Sequence, residues 1–308
     1  MTDHLPAAEP DQTGRVAVAS TGTLVSVIVL LQLVASFCYP IAKYGLDIIE
    51  PFTFAFYRFM LASVALLIAA AFTSKERRVA RKDYPRIVLL GILIIPLNQT
   101  LFLVGQSLTG AGHGAFLFAT TPIWIFALAL IHLKEKFFWR RAIGIAIATI
   151  GVVVIMISGG LEVSRDYIIG DLIIILSVIA WAYYTILGKP LVQKYGAIRV
   201  TAYALATGSL FYLPVGICFA TRYDYSQATP AAWWSVVYMA IGLSLVVYVL
   251  WYWVLKQMDA SRLAVYHNIQ PIIASTVAYV WLGESLSTAF VVGGAIVLAG
   301  VVITEIKR

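Results

Sequence analysis

Long apolar runs separated by short polar connections fill nearly the whole chain from residue 24 onward. Each run holds about 20 residues, the number that a helix rising ~1.5 Å per residue needs to cross ~30 Å of hydrocarbon. Period-two alternation is absent and the runs are too long for barrel strands, so a backbone in lipid must satisfy its hydrogen bonds helically. The pattern predicts ten transmembrane helices, at roughly residues 24–44, 52–72, 86–105, 112–131, 141–157, 169–187, 199–219, 233–255, 260–281 and 288–306.

Composition agrees with this pattern. Of the 308 residues, 61% are hydrophobic and 12% are charged, whereas about a quarter of the residues of a soluble domain are charged. We therefore predict an all-α integral membrane protein embedded in the lipid bilayer.

Lysine and arginine concentrate at one end of the predicted bundle, as they do in cytoplasmic loops. Eighteen of the 22 basic residues lie there if the amino terminus is cytoplasmic. Both termini are then cytoplasmic, and the net charge of +7 reports orientation rather than nucleic-acid binding. Residues 1–22 lack the basic start of a secretory signal, and we expect a disordered cytoplasmic tail.

The two halves of the chain repeat. Shifting the sequence by 149 residues aligns "TTPIWIFALALIHLKEKFFWRRAIGIAIATIGVVV" with "IQPIIASTVAYVWLGESLSTAFVVGGAIVLAGVVI". The shift superimposes a proline, a glutamate and two glycines of each half: Pro122 on Pro271, Glu135 on Glu284, Gly144 on Gly293 and Gly151 on Gly300. Five helices per half is an odd number, so the second half enters from the opposite face. We predict two five-helix inverted-topology repeats, residues 23–158 and 159–308, the architecture of many secondary transporters.

These features resemble the EamA branch of the drug/metabolite transporter superfamily. The resemblance rests on the two five-helix halves, the basic connection after the second helix, the stretch "PFTFAFYRFMLA" with Arg58, and the order of proline, glutamate and glycine that ends each half. It covers residues 24–306. It implies a bacterial inner-membrane carrier of small metabolites, often amino acids or related compounds and frequently an exporter, and it names no solute.

Candidate substrate-binding residues follow the helical period. Gln32, Ser36, Tyr39 and Lys43 share one face of the first helix, and a second stripe on the sixth helix includes Trp181 and Tyr184. We expect these faces to line a central cavity, with hydrogen bonding between helices as the alternative. The further candidates on helices 3, 4, 8 and 9 are Asn98, Gln99, His113, Thr120, Trp124, Trp251, Tyr266, His267 and Gln270.

Arg58 lies seven residues after Pro51, about 10 Å below the outer boundary at 1.5 Å per residue. An ionisable group at that depth indicates a functional site, and a guanidinium suits a substrate carboxylate. A structural hydrogen-bonding role is the alternative.

Pro122 and Pro271 fall about halfway along the fourth and ninth predicted helices. There they would break a backbone hydrogen bond and form hinges near the binding site, or a static kink. Glu135 and Glu284 follow these helices in tight turns. We expect each glutamate to accept N–H groups at a helix start, with a gating ion pair as the alternative.

Other classes of function find less support in the residues. An enzyme would need a nucleophile with a base, paired acids or metal ligands, and the ten spans hold no acid well inside them. We expect no catalytic residue, metal or cofactor, and we interpret Cys38 and Cys218 as buried apolar thiols. A non-transporting scaffold would not explain the repeat.

We therefore predict a secondary transporter that exports small-molecule solutes such as amino acids by alternating access, as a monomer or homodimer without nucleic-acid partners. Efflux of organic cations, amines or drugs is the alternative.

Overall fold

The computed structural model describes residues 19–72, 79–108, 117–158, 168–273, 276 and 288–305. Within these ranges the backbone forms helices joined by turns, with no strand, and a helix lies at each of the ten predicted positions. Seven of these helical stretches are long and apolar enough to cross a membrane. The predicted all-α transmembrane fold is confirmed for this part of the chain.

We number the helices in chain order. The first half contains α1 (Thr21–Leu46), α2 (Pro51–Phe72), α3 (Tyr84–Ile92, extended by Leu93–Thr100 and Leu101–Ser107), α4 (Thr121–His132) and α5 (Trp139–Ser158). The second half contains α6 (Ile168–Tyr195), α7 (Ala197–Ala220), α8 (Pro230–Tyr238, extended by Met239–Val247 and Tyr248–Gln257), α9 (Ala260–Ala264, extended by Val265–Ile269 and residues 270–273) and α10 (Thr288–Glu305). The middle stretch is π-helical in both α3 and α8, and it is a 3₁₀ helix in α9.

Local sequence explains where α2 begins. The carboxylate of Glu50 accepts hydrogen bonds from the backbone N–H groups of Phe52 and Thr53 at 2.9 and 2.8 Å. A helix start leaves these N–H groups without intrahelical acceptors, so the carboxylate stabilises this end.

A single residue, Gly196, connects α6 to α7. Its φ of 82° lies in the left-handed region, which glycine adopts without the steric cost of a side chain. The two long helices therefore form a tight hairpin.

The last helices of the two halves pack against each other. Gly144 of α5 faces Gly300 of α10, and Gly151 faces Gly293. A Cβ atom added at Gly144 would meet the Gly300 carbonyl oxygen at 2.6 Å, and one at Gly151 would meet the Gly293 carbonyl oxygen at 2.6 Å. Residue numbers rise along one helix as they fall along the other, so α5 and α10 are antiparallel.

Helices α2 and α7 form the equivalent pair and are also antiparallel. Phe52 stacks on Phe219 with ring centroids 4.5 Å apart, and the hydroxyls of Ser63 and Ser209 are 2.8 Å apart. Helices at corresponding positions of two parallel repeats would run in the same direction. The opposite direction seen in both pairs confirms the inverted-topology repeat.

Two sequence predictions need correction. Pro122 lies in the first turn of α4 rather than halfway along it, where a proline removes no hydrogen bond because the first N–H groups have no intrahelical acceptor. Cys38 is buried, but Cys218 is exposed, because it lies on the outer face of α7 near exposed Ile217 and Phe219. A thiol is apolar enough for a surface that contacts lipid.

Some predictions lie outside the described residues. These are the tail up to residue 18, His113 and Glu284, together with the side chains of Tyr39 and Lys43.

Candidate functional site

Five aromatic side chains from α6, α8 and α9 form a cluster in the middle of the bundle. Trp181 lies 5.5 Å from Tyr184, 5.6 Å from Tyr248, 5.8 Å from Trp251 and 6.1 Å from His267, measured between ring centroids. Trp251 and His267 meet edge to face at 4.9 Å. The structure thus brings together four of the predicted site residues and adds Tyr248. We call these five residues the aromatic cluster.

Hydrogen bonds hold two of the rings of α8 in place. The Nε1–H of Trp251 donates to the Thr185 hydroxyl at 3.2 Å, and the hydroxyl of Tyr252 donates to the Tyr184 carbonyl at 2.9 Å. Gly188 leaves room for Tyr252, since a Cβ at Gly188 would lie 2.1 Å from the Tyr252 hydroxyl oxygen. These contacts with α6 hold the side chains of Trp251 and Tyr252 in position.

Several polar atoms around the cluster lack partners. Nε1 of Trp181 and Nδ1 of His267 are buried and form no hydrogen bond to any described residue, and the same holds for both amide atoms of Asn268. Buried polar atoms are almost always paired in folded proteins. Unpaired ones at an aromatic surface favour a site whose ligand completes them.

Arg58 adjoins this cluster from α2. Its side chain is only 6% exposed, its Nε–H donates to the Ser244 hydroxyl at 2.9 Å, and its guanidinium carbon lies 4.6 Å from the centroid of the Phe59 ring. Tyr248, four residues after Ser244 on α8, interacts with Arg58. Arg58 and the aromatic cluster therefore form one continuous group of largely buried side chains.

The guanidinium of Arg58 is not neutralised within the part of the chain that the structure describes. Nη2 has no hydrogen-bond partner there, and Arg58 forms no ion pair with a described carboxylate. A buried charge without a counter-ion is costly. An anionic ligand would offset that cost.

Two further polar groups lie where α3 meets α6 and where α1 meets α9. The Asn98 amide donates to the Ser177 carbonyl at 2.9 Å, and the Ser177 hydroxyl donates to the Asn98 carbonyl at 2.8 Å. The Gln270 amide donates to the Gln32 side-chain oxygen at 2.9 Å. Each contact joins a helix of the first half to a helix of the second.

The remaining predicted residues are more scattered. Gln99 donates to the side-chain oxygen of Asn98 at 2.8 Å, and Trp124 donates to the Thr120 hydroxyl at 3.2 Å within the α4 region. Tyr266 points away from the aromatic cluster, because it interacts with Glu305 of α10. Pro271 lies two residues after the end of the 3₁₀ stretch of α9.

Glu135 connects three helices at the basic end of the bundle, the end where Lys134, Arg141 and Lys189 lie. One carboxylate oxygen accepts hydrogen bonds from the Lys189 ammonium at 3.2 Å and from the Ala260 N–H at 2.7 Å. The other accepts from the Ser261 hydroxyl at 2.6 Å and from the Ser261 N–H at 3.3 Å. Glu135 thus binds a helix start and also forms an ion pair, and the helix start it binds is that of α9 in the other half.

A second ion pair supports this contact. Arg141 of α5 pairs with Asp259 at 2.7 Å and donates to the Ser261 hydroxyl at 3.1 Å, while Lys189 also donates to the Met258 carbonyl at 2.9 Å. We call Glu135, Arg141, Lys189, Asp259 and Ser261 the basic-end lock. It joins the first half of the chain to the second.

Sequence reasoning missed Ser244, Lys189 and Ser261. Ser244 is a lone hydroxyl in an apolar run, four residues before Tyr248, and this helical spacing was the available signal. Lys189 and Ser261 lie at the ends of apolar runs, where a polar residue is ordinary, so only the fold reveals their contact with Glu135.

Comparison with known proteins agrees with this architecture. The model of the EamA-like transporter family matches the chain twice, at residues 23–157 and 168–306. A crystal structure with 17% sequence identity has a TM-score of 0.79 and covers 93% of this chain and 97% of its own. At that identity the likeness concerns the fold alone.

Closer relatives are transporters by name. An uncharacterized transporter from Archaeoglobus fulgidus is 30% identical over 269 residues, which is 86% of this chain and 91% of the relative. A protein from Streptantibioticus cattleyicolor, named as a probable terminal-alkyne amino-acid exporter, is 31% identical over 265 residues, 86% of this chain and 87% of the relative. The chain is therefore a multi-pass membrane transporter and belongs to the EamA-like transporter family.

Proposed function

We propose that the protein is a secondary transporter that exports small carboxylate-bearing metabolites, such as amino acids and related compounds. The observation that carries this proposal is the buried guanidinium of Arg58, which has an unpartnered Nη2 and no described counter-ion and lies beside the aromatic cluster. A substrate carboxylate would accept from Nη2 in a charge-assisted hydrogen bond. The relative named as an amino-acid exporter supports this substrate class.

In this proposal the aromatic cluster binds the part of the substrate that does not contact Arg58. Its rings offer apolar surface to a side chain and a negative π face to an ammonium group. An amino acid would place its carboxylate at Arg58 and its amine or side chain against Trp181 and Tyr248. Nε1 of Trp181 and Nδ1 of His267 are then available for its remaining polar atoms.

Alternating access follows from the two inverted halves. The basic-end lock holds α4, α5, α6 and α9 together, so the conformation described here is closed at that end. For solute to enter from the basic end, Glu135 must leave Lys189 and the start of α9. We propose that residues 23–158 and 159–308 move as two units during this change, with a hinge at Pro271.

The orientation of the protein in the membrane sets the direction of transport. We propose that the basic end is cytoplasmic, in the bacterial inner membrane, because basic residues are retained on that side. Solute would load from the cytoplasm when the lock opens and leave when it closes.

The test is ligand-induced stabilisation of the purified protein. Thermal unfolding is measured with a series of L-amino acids and with the corresponding amines that lack the carboxylate, for the parent protein, Arg58→Gln and the matched control Arg222→Gln. Arg222 is exposed, in the turn after α7, so its loss removes the same charge away from the site. We expect amino acids to raise the melting temperature of the parent and the control, and we expect no such rise in Arg58→Gln.

A second candidate is efflux of organic cations or amines, which the aromatic cluster favours through cation–π contacts. Stabilisation by amines that persists in Arg58→Gln would support this candidate and contradict the carboxylate proposal. Counterflow of the stabilising solute in proteoliposomes then decides whether binding leads to transport.

A further inference from the structure

A basic and aromatic surface surrounds the turn between α4 and α5 at the basic end. Its cations are Lys134, Lys136 and Arg140, and none of them forms an ion pair with a carboxylate in the part of the chain that the structure describes. Its rings are Phe137 and Trp139, which are 62% and 55% exposed. The guanidinium carbon of Arg140 lies 5.7 Å from the centroid of the Trp139 ring. We call these five residues the basic-aromatic surface.

The basic-aromatic surface lies at the boundary between lipid and water. Helix α5 begins at Trp139 and contains 20 residues, which is about the number that crosses the hydrocarbon core. Its first residues are therefore at the level of the lipid headgroups, where tryptophan is enriched in membrane proteins. Because the two rings are exposed at this level, the molecule that they meet is a lipid.

The start of α5 adds a partial positive charge to this surface. Its first turn holds no acid, and the first N–H groups of a helix have no intrahelical acceptor. The nearby carboxylate of Glu135 is only 7% exposed, because it binds Lys189 and the start of α9. The start of α3 differs, since Asp83 directly precedes it. An anion is therefore favoured at the start of α5 more than at the start of α3.

The backbone of Lys134 has a conformation that most side chains disfavour. Its φ is 52°, and it is the one non-glycine residue with a positive φ among those that the structure describes. The shift of 149 residues that aligns the two halves places Gly283 at this position of the second half, and glycine adopts a positive φ without steric cost.

The rest of the surface is also specific to the first half. The same shift places uncharged, non-aromatic residues on the other four members, namely Ser285, Leu286, Thr288 and Ala289. The retention of basic residues on the cytoplasmic side would be served by a lysine anywhere in the turn. It therefore does not explain a lysine at the position where the backbone favours glycine.

We propose that the basic-aromatic surface binds the headgroup of an anionic phospholipid, such as phosphatidylglycerol, in the leaflet at the basic end. Lys134, Lys136 and Arg140 attract the anionic headgroup and donate hydrogen bonds to its phosphate. Phe137 and Trp139 contact the glycerol backbone and the upper part of the acyl chains. A zwitterionic lipid also carries a phosphate, but the three cations repel its positively charged group. This inference does not depend on the substrate class proposed above.

The experiment measures lipid binding to the full chain in detergent micelles by native mass spectrometry. The probes are phosphatidylglycerol, phosphatidylcholine with the same acyl chains, and glycerol phosphate, which has the phosphate but no acyl chain. We expect the first phosphatidylglycerol to bind roughly tenfold or more tightly than phosphatidylcholine. Glycerol phosphate should bind more weakly than phosphatidylglycerol, because it lacks the contacts with the rings.

Single variants test the three cations. Lys136→Gln and Arg140→Gln should each weaken phosphatidylglycerol binding roughly fivefold, which corresponds to the attraction of one basic side chain near a membrane surface. Lys134→Gly should weaken binding to a similar extent but raise the melting temperature, because glycine removes the steric cost of the positive φ. These opposite changes separate lipid binding from folding.

A matched pair of double variants tests the location. Lys136→Gln/Arg140→Gln and the control Arg81→Gln/Lys82→Gln each remove two charges at the basic end, and the control positions are exposed next to Asp83. We expect the first double variant to weaken phosphatidylglycerol binding roughly 25-fold and the control to change it by less than about twofold.

Three results would overturn the proposal. The first is phosphatidylglycerol binding by Lys136→Gln/Arg140→Gln that equals binding by the parent protein. The second is an equal loss in Arg81→Gln/Lys82→Gln, since the lipid would then respond to the total charge of the basic end. The third is binding of glycerol phosphate as tight as that of phosphatidylglycerol, since the surface would then bind a soluble phosphate. Amino-acid binding is read separately by thermal unfolding, so the two proposals can fail independently.

Discussion

The charge and the shape of Arg58 make separate contributions to the site. Nε already donates to Ser244, so only the rest of the planar fork is left for a ligand. A lysine would keep the charge but present one compact ammonium, which cannot bond Ser244 and a carboxylate in the same fixed geometry. For the carboxylate ligand proposed above, we therefore expect that the charge alone does not suffice.

We expect Arg58→Lys to weaken amino-acid binding roughly tenfold or more, because a hydrogen bond to a charged group contributes about 1.5–3 kcal/mol. The measurement is the dissociation constant of the amino acid that stabilises the parent protein. The companion variant is Ser244→Ala, which removes the hydrogen-bond partner of Arg58 Nε and leaves the charge of Arg58 unchanged. Binding by Arg58→Lys as tight as that of the parent would mean that only charge matters.

The ring of Trp181 contacts the other four members of the aromatic cluster. We expect Trp181→Phe to retain most of the ring contacts and lose the Nε1–H donor, whereas Trp181→Leu loses both, a further loss of about 0.5–1.5 kcal/mol per aromatic pair. Binding measured for both variants should fall in the order parent, Trp181→Phe, Trp181→Leu. Equal binding by the two variants would exclude stacking as a contribution.

The sequence predicts residues of the site where a face of a helix is polar or aromatic. Helical spacing predicted Trp181 and Tyr184, whereas Trp251 was one of several abundant aromatic residues and His267 was chosen because it comes shortly before Pro271. The structure gathers all four. It does not gather Tyr266, because Tyr266 and His267 are adjacent and adjacent side chains of a helix point about 100° apart. The helical period itself therefore separates these two candidates.

At the level of elements, π-helical stretches occur in α3 and in α8, the same position in the two halves. Leu93–Thr100 contains Asn98, and Met239–Val247 contains Ser244. Both residues bond a partner on another helix. Stretches of this kind are frequently found at functional sites. Pro96 explains why the stretch in α3 is π-helical, but the stretch in α8 contains no proline. The apolar pattern along the chain therefore predicts both helices but not their π-helical turns.

The crossing of α5 and α10 tolerates no side chain at its four glycines. We expect Gly151→Ala to destabilise the protein by about 1–3 kcal/mol, because the new methyl group would overlap the Gly293 carbonyl oxygen. Thermal unfolding checks this, with Gly242→Ala as the control at a glycine whose nearest neighbour is 3.3 Å away. A melting temperature for Gly151→Ala equal to that of Gly242→Ala would contradict the close approach.

On the scale of the whole molecule, the basic-end lock holds the two halves together at the basic end. Its central carboxylate, Glu135, is 7% exposed and is held by a lysine and by N–H groups of α9. These contacts exist only while the two halves are together at this end. In the alternating-access cycle proposed above, the lock would therefore stabilise the conformation that is closed at this end.

We expect Glu135→Gln to favour the conformation that is open at the basic end, by roughly tenfold or more, since charge-assisted hydrogen bonds contribute about 1.5–3 kcal/mol. The measurement is alkylation of Ala264→Cys, with Cys38 and Cys218 replaced by alanine, by an impermeant maleimide added to the basic side. Ala264 is fully buried between Ser261 and His267, so it reports opening.

The matched control is Glu305→Gln. Glu305 pairs with Arg262, which joins α9 to α10 within one half, so its loss should not open the lock. Equal alkylation of Ala264→Cys in both backgrounds, or none in either, would refute the role of Glu135.

Whole-molecule architecture was the most predictable level. Ten helices and their inversion follow from run length, the odd number of helices per half and the duplicated prolines, glutamates and glycines, because each of these depends on local composition. Contacts between the halves were not predictable, since Glu135 binds α9 from more than 100 residues away and no pattern along the chain encodes that distance.

The glycine crossing also has a consequence for biosynthesis. A ribosome completes α5 long before it reaches Thr288, so the glycine face of α5 has no helix to cover it while the intervening residues are made. During that time lipid or an insertion factor must cover the groove, and the first half cannot reach its final packing. Translation must therefore pass through α10 before the five helices of the first half can finish folding.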